Sequence, residues 1–81
     1  MTVLTPAPVI TIQSMLLIKF HASLFDYQVE GQSITGLKCH QQQVVRLREA
    51  LAPHAWKATI VQDNGPRKLF IMKLAPDRAG D

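Results

Sequence analysis

The feature that most constrains this chain is the stretch from Gly36 to Leu74, where a helical pattern runs straight into a hairpin pattern. Leu37, Val44, Leu47 and Leu51 recur at the spacing of one helix face, with His40 on the same stripe. Apolar residues three, four and seven apart line one side of a helix and call for one packing partner. Val45 and Ala52 widen the stripe, while Gln42, Gln43, Arg46 and Glu49 fall opposite. Thr35 is placed to cap the first turn with its hydroxyl. Pro53 stops the helix, because its ring lacks an N–H and pushes Ala52 out of the helical region. The pattern predicts one helix from Leu37 to Ala52, and it is the strongest helical signal in the sequence.

The hairpin rests on turn chemistry. Trp56–Val61 and Lys68–Leu74 are rich in aromatic, β-branched and aliphatic side chains that suit a pleated, half-buried surface. Between them stands Gln62-Asp63-Asn64-Gly65-Pro66-Arg67. Asn-Gly tolerates positive φ at both centres of a tight hairpin turn. Pro66 cannot donate to a ladder, so an irregular pair is expected beside the turn.

Before the helix the pattern has a period of two. Ile10, Ile12, Leu16, Ile18 and Phe20 alternate with Thr11, Gln13 and Lys19, which predicts a strand over Val9–Phe20. Met15 and Leu17 spoil its polar side, and Ile12, Leu16 and Phe20 also fit one helical stripe. Phe25, Tyr27 and Val29 alternate with Asp26, Gln28 and Glu30 as a second strand, joined to the first by a turn over His21–Leu24. The expected fold is α+β: a ββαββ unit whose antiparallel sheet packs on one amphipathic helix. A helix followed at once by a basic-tipped hairpin also fits a winged-helix-like unit, which requires earlier helices that the period-two stretches oppose. Residues 1–8, with Pro6 and Pro8, read as an extended lead, 9–74 as a single domain and 75–81 as a flexible tail.

Eighty-one residues support one core. Cys39 is the single cysteine, so no internal disulfide can form, and a reducing compartment is expected. The first residues lack the basic and apolar regions of a secretory signal, and the apolar cluster Met15–Ile18 is too short to span a bilayer. Together these features predict a cytoplasmic location.

Charge is uneven. From Gly36 to Leu74 seven basic residues face two acidic ones, whereas Met1–Thr35 holds one lysine against two carboxylates. A basic face attracts polyanions through counterion release. Arg67 and Lys68 flank the hairpin tip, Lys57 and Lys73 lie along its strands, and Arg46 sits on the polar side of the helix. Gln42 and Gln43 stand beside Arg46, and Gln and Arg are side chains that read adenine and guanine. These seven residues form the candidate nucleic-acid site, with DNA and RNA equally open.

No catalytic or metal set accompanies them. His21, His40 and His54 are too widely spaced for a compact ligand motif, and Cys39 beside His40 would point to another face of the helix. The carboxylates are scattered, and no glycine-rich phosphate loop exists. An enzyme, a cofactor and a small-molecule substrate are not expected. Trp56 is expected to fill the core, with base stacking as the alternative.

Two function classes follow: a small nucleic-acid-binding or regulatory protein, or a protein–protein module that docks an apolar sheet face. The apolar excess on both sides of Val9–Phe20 and Lys68–Leu74 favours a homodimer or another protein partner.

Overall fold

The computed structural model describes residues 5–77. Its elements run in the order α1 (Val9–Phe20), β1 (Gln28–Glu30), β2 (Ser33–His40), α2 (Val44–Leu51), β3 (Trp56–Asn64) and β4 (Leu69–Pro76). The four strands form one antiparallel sheet in the order β1-β2-β4-β3. The class is α+β, as expected, but the order is αββαββ: a helix takes the place of the first expected strand, and a strand takes the first part of the expected helix.

Val9–Phe20 is therefore a correction. Ile12, Met15 and Leu16 are buried at i, i+3 and i+4, while Ile10, Leu17 and Ile18 face outward. The segment is so dense in apolar residues that it satisfies both periods. Its twelve-residue length, without an internal Gly or Pro, suits a helix. His21 ends it in the left-handed region (φ 58°), and the Ala22 N–H bonds back to the Leu16 carbonyl at 3.1 Å.

The helix expected over Leu37–Ala52 is also corrected. Only Val44–Leu51 is α-helical, entered through a 3-10 turn at Gln41–Gln43. Val44, Leu47 and Leu51 form the buried stripe, as their spacing predicts. Leu37 belongs instead to β2, where Leu37 and Cys39 are buried and Lys38 and His40 exposed. Thr35 caps no helix: it pairs with Gln28 across β1 and β2. The register of β2 on β4 shifts between Ile34 and Leu37, where Gly36 takes φ 76°. That bulge keeps Ile34 and Leu37 on one face although they are three residues apart. Since β2 leads directly into the 3-10 turn and α2, the winged-helix-like alternative is not formed either.

The remaining strands follow the sequence more closely. The second strand shrinks to Gln28–Glu30, leaving Phe25 in a turn. The hairpin of β3 and β4 forms, but its turn is a 3-10 segment at Gly65–Arg67 closed by Lys68 at φ 51°. A two-residue Asn64-Gly65 turn would need an N–H from residue 66, and proline has none. The irregular pair lies further from the turn, between Ile60 and Gln62. β4 continues to Pro76, and the Asp77 N–H bonds to the Ala55 carbonyl at 2.8 Å.

All buried apolar residues form one core between the two helices and one sheet face. Register stacks it in rows: Ile34, Leu74 and Ala58, then Leu37, Met72 and Ile60. Trp56 is buried, as expected, and its indole N–H donates to the Ala7 carbonyl at 2.7 Å. The Ala7 N–H in turn donates to the His54 carbonyl at 2.9 Å, so the lead at Thr5–Pro8 is fastened beside β3. On the free edge of β3 the Arg48 guanidinium donates from Nε to the Ala58 carbonyl at 3.4 Å, which together with the bulge blunts that edge.

With Leu16 fully buried, Leu16→Ala should cost about 2–5 kcal/mol. Lys19→Ala on the exposed side should stay within about 0.5 kcal/mol of the parent. Urea melts check both values, and similar effects at the two sites would contradict the packing of α1.

Candidate nucleic-acid interface

Pairing decides which basic residues share a surface. On the sheet face away from the helices, Lys38 of β2 stands opposite Ile71 of β4, and Lys73 of β4 opposite Thr59 of β3. Lys57 of β3 stands opposite Ala75. Each lysine is thus one diagonal step from the next, about 7–8 Å between neighbours. Strand spacing and rise put Lys38 and Lys57 about 17 Å apart at their Cα atoms. All three side chains are exposed. Register places Glu30, on the short edge strand, as the single acidic residue of this face among the described residues. The centre of the face is aliphatic, with Leu69 and Ile71 half-buried on β4.

The line of lysines leads to a second group. His40 pairs with Leu69 on the same face. Beyond it the β3–β4 turn meets the β2–α2 junction, fixed by the Gln41 N–H donating to the Lys68 carbonyl at 2.9 Å. His40, Gln41, Gln42, Arg67 and Lys68 line an open cleft of about 530 Å³ there. The structure thus brings Gln42, Arg67 and Lys68 together, with Lys57 and Lys73 on the adjoining sheet face.

Two expected members fall elsewhere. Arg46 is on the helical layer, with its guanidinium 5.4 Å from the centre of the Phe20 ring. That cation–π contact holds α2 against the end of α1. The Gln43 side chain faces back, its Oε1 accepting the His40 N–H at 3.4 Å. Gln43 helps fasten the strand-to-helix junction. Lys38 is the residue that sequence reasoning missed. Read as strand, its alternation with Leu37 and Cys39 would have placed it on the open face.

One exposed ring stands near the lysines: Phe25 shares a cleft with Lys38 and Gln28. Tyr27, Trp56 and Phe70 are buried in the core. The Tyr27 hydroxyl is buried without a hydrogen-bond partner among the described residues. Groups of three or more His, Cys, Asp or Glu able to hold a metal are absent among the described residues. No described helix is long and apolar enough to cross a membrane. No family model matches the chain, and the searches of curated proteins and of solved structures find no match.

Cys39 lies on the buried face of β2, 5% exposed, and its thiol donates to the His40 carbonyl at 3.5 Å. Burial pushes its pKa above the ordinary thiol range, because desolvation disfavours the thiolate. A raised pKa adds stability below the ordinary thiol pKa, and this is lost as pH rises through the folded value. Alkylation of Cys39 by iodoacetamide at pH 8 should therefore be slow in the native protein and fast in urea. Equal rates in the two states would contradict the burial.

Proposed function

We propose that this protein binds the backbone of a nucleic acid along the open face of its sheet. The observation that supports this most is the diagonal line of Lys38, Lys73 and Lys57, continued by Lys68 and Arg67 at the end of the sheet. A row of exposed cations on a sheet surface suits a polyanion, whose condensed counterions are released on contact. The aliphatic centre of the face provides no ring on which to stack a base, and the exposed Phe25 stands only at its Lys38 end, so contact is chiefly by charge with the backbone. At the end cleft, Gln42 and Arg67 are side chains of the kind that contact base edges. Arg46 takes no part, because it is engaged with Phe20 on the other layer.

The test is fluorescence anisotropy with single- and double-stranded DNA and RNA at several salt concentrations. Lys38→Ala with Lys73→Ala should weaken binding to all sequences alike. The pair should flatten the slope of log K against log salt by about one to two units. Arg46→Ala should leave both quantities unchanged. Lack of saturable binding tighter than about 100 μM at low salt would remove the proposal.

A further inference from the structure

The outer side of α1 carries a second apolar stripe that none of the described residues covers. Ile10 is 67% exposed, Leu17 58% and Ile18 72%, although Ile12, Met15 and Leu16 already bury the opposite side. A helix that is apolar all round belongs in an interior. Just beyond it, the turn at Ser23–Asp26 is held by three hydrogen bonds. The Ser23 N–H donates to Asp26 Oδ2 at 2.6 Å, and the Phe25 N–H donates to Ser23 Oγ at 3.2 Å. The Asp26 N–H donates to the Ser23 carbonyl at 3.1 Å. This well-held turn leaves Leu24 64% and Phe25 97% exposed. Phe25 shares a cleft with Phe20, His21 and Ala22 and with Gly36 and Lys38 of β2, which places it beyond the C-terminal end of α1, beside the sheet edge.

The geometry points to a second copy of this chain as the occupant, packed α1 against α1 about a two-fold axis at Ser14. The stripe is symmetric about that residue: Ile10 lies four positions before it and Ile18 four after. Antiparallel pairing therefore sets Ile10 of each copy against Ile18 of the other. Such self-complementarity is what a two-fold interface requires. Ser14 is small enough to let the helices approach closely at the crossing. Lys19, the only charge on α1, lies off the stripe, so no like charges oppose across it.

The same pairing carries the Phe25 end of one copy to the partner's N-terminal end of α1. A cleft of about 420 Å³ lies there, lined among others by Pro6, Pro8, Val9, Trp56 and Pro76. It is large enough to take a phenyl ring, in the manner of an aromatic anchor in a pocket. The five exposed side chains offer on the order of 700 Å² per copy, close to the roughly 800 Å² per partner of a standard interface. The stripe Ile10, Leu17 and Ile18 holds none of the candidate nucleic-acid residues, although its Phe25 end shares a cleft with Lys38.

Sedimentation velocity of the full chain from about 1 to 100 μM reads the association directly. The parent should sediment as a dimer at the upper end. Ile18→Glu should sediment as a monomer with an unchanged circular dichroism spectrum. Phe25→Ala should raise the dimer Kd at least about tenfold. Ser14→Cys places one accessible thiol on the axis, because Cys39 is buried, and mild oxidation should convert it to a covalent dimer. A parent that stays monomeric at about 100 μM overturns the proposal and leaves the stripe to a different protein. A dimer indifferent to Ile18→Glu, or one in which Ser14→Cys fails to cross-link, overturns it equally.

Discussion

The structure depends on the central strand β4, which is buried on its core face and open on the other. Phe70, Met72 and Leu74 sit on the core side, between rows from β2 and β3 and under both helices. Leu69, Ile71 and Lys73 face the other way from the same strand. A central strand with large side chains on both faces keeps its register, because a one-residue slip would drive Lys73 into the core. Once β4 is fixed, its neighbours are fixed too, and the positions of Lys38 and Lys57 follow from pairing alone.

Covering only one face of that sheet divides the molecule into two surfaces of different chemistry. The open face is aliphatic at its centre and cationic along a diagonal. The helical layer is apolar on its outside along α1, where Arg46 covers Phe20 and the other large side chains stay uncovered. Charge and apolar excess are thus largely separated, meeting where Phe25 shares a cleft with Lys38. Each surface is built on regular elements whose backbones are held by hydrogen bonds.

Sequence reasoning read some parts well. The Val44, Leu47 and Leu51 stripe, the burial of Trp56 and the β3–β4 hairpin all rest on strong periodic or turn signals. It failed where a signal fitted two periods. Leu37 and Val44 are seven apart, which suits a helix, but the chain between them is strand and then a 3-10 turn. Gly36 was the warning, since glycine at the edge of an apolar alternation marks a bulge as readily as a helix boundary. Val9–Phe20 failed for the opposite reason, having too few polar residues to select either period. For the candidate site, the basic residues were legible from composition, yet their grouping was not. Arg46 and Lys73 are both exposed and basic, and only the pairing of strands places them on opposite layers.

The central claim is that the open sheet face and its end cleft form one continuous contact surface for a polyanion. Amide chemical-shift mapping by NMR with a short single-stranded oligonucleotide tests it most directly. The account predicts graded shifts at Lys38, Thr59, Lys73, Lys57, Gln42 and Lys68, with α1 and the Arg46 turn of α2 unmoved. Shifts centred on α2, or none at saturating oligonucleotide, would contradict it.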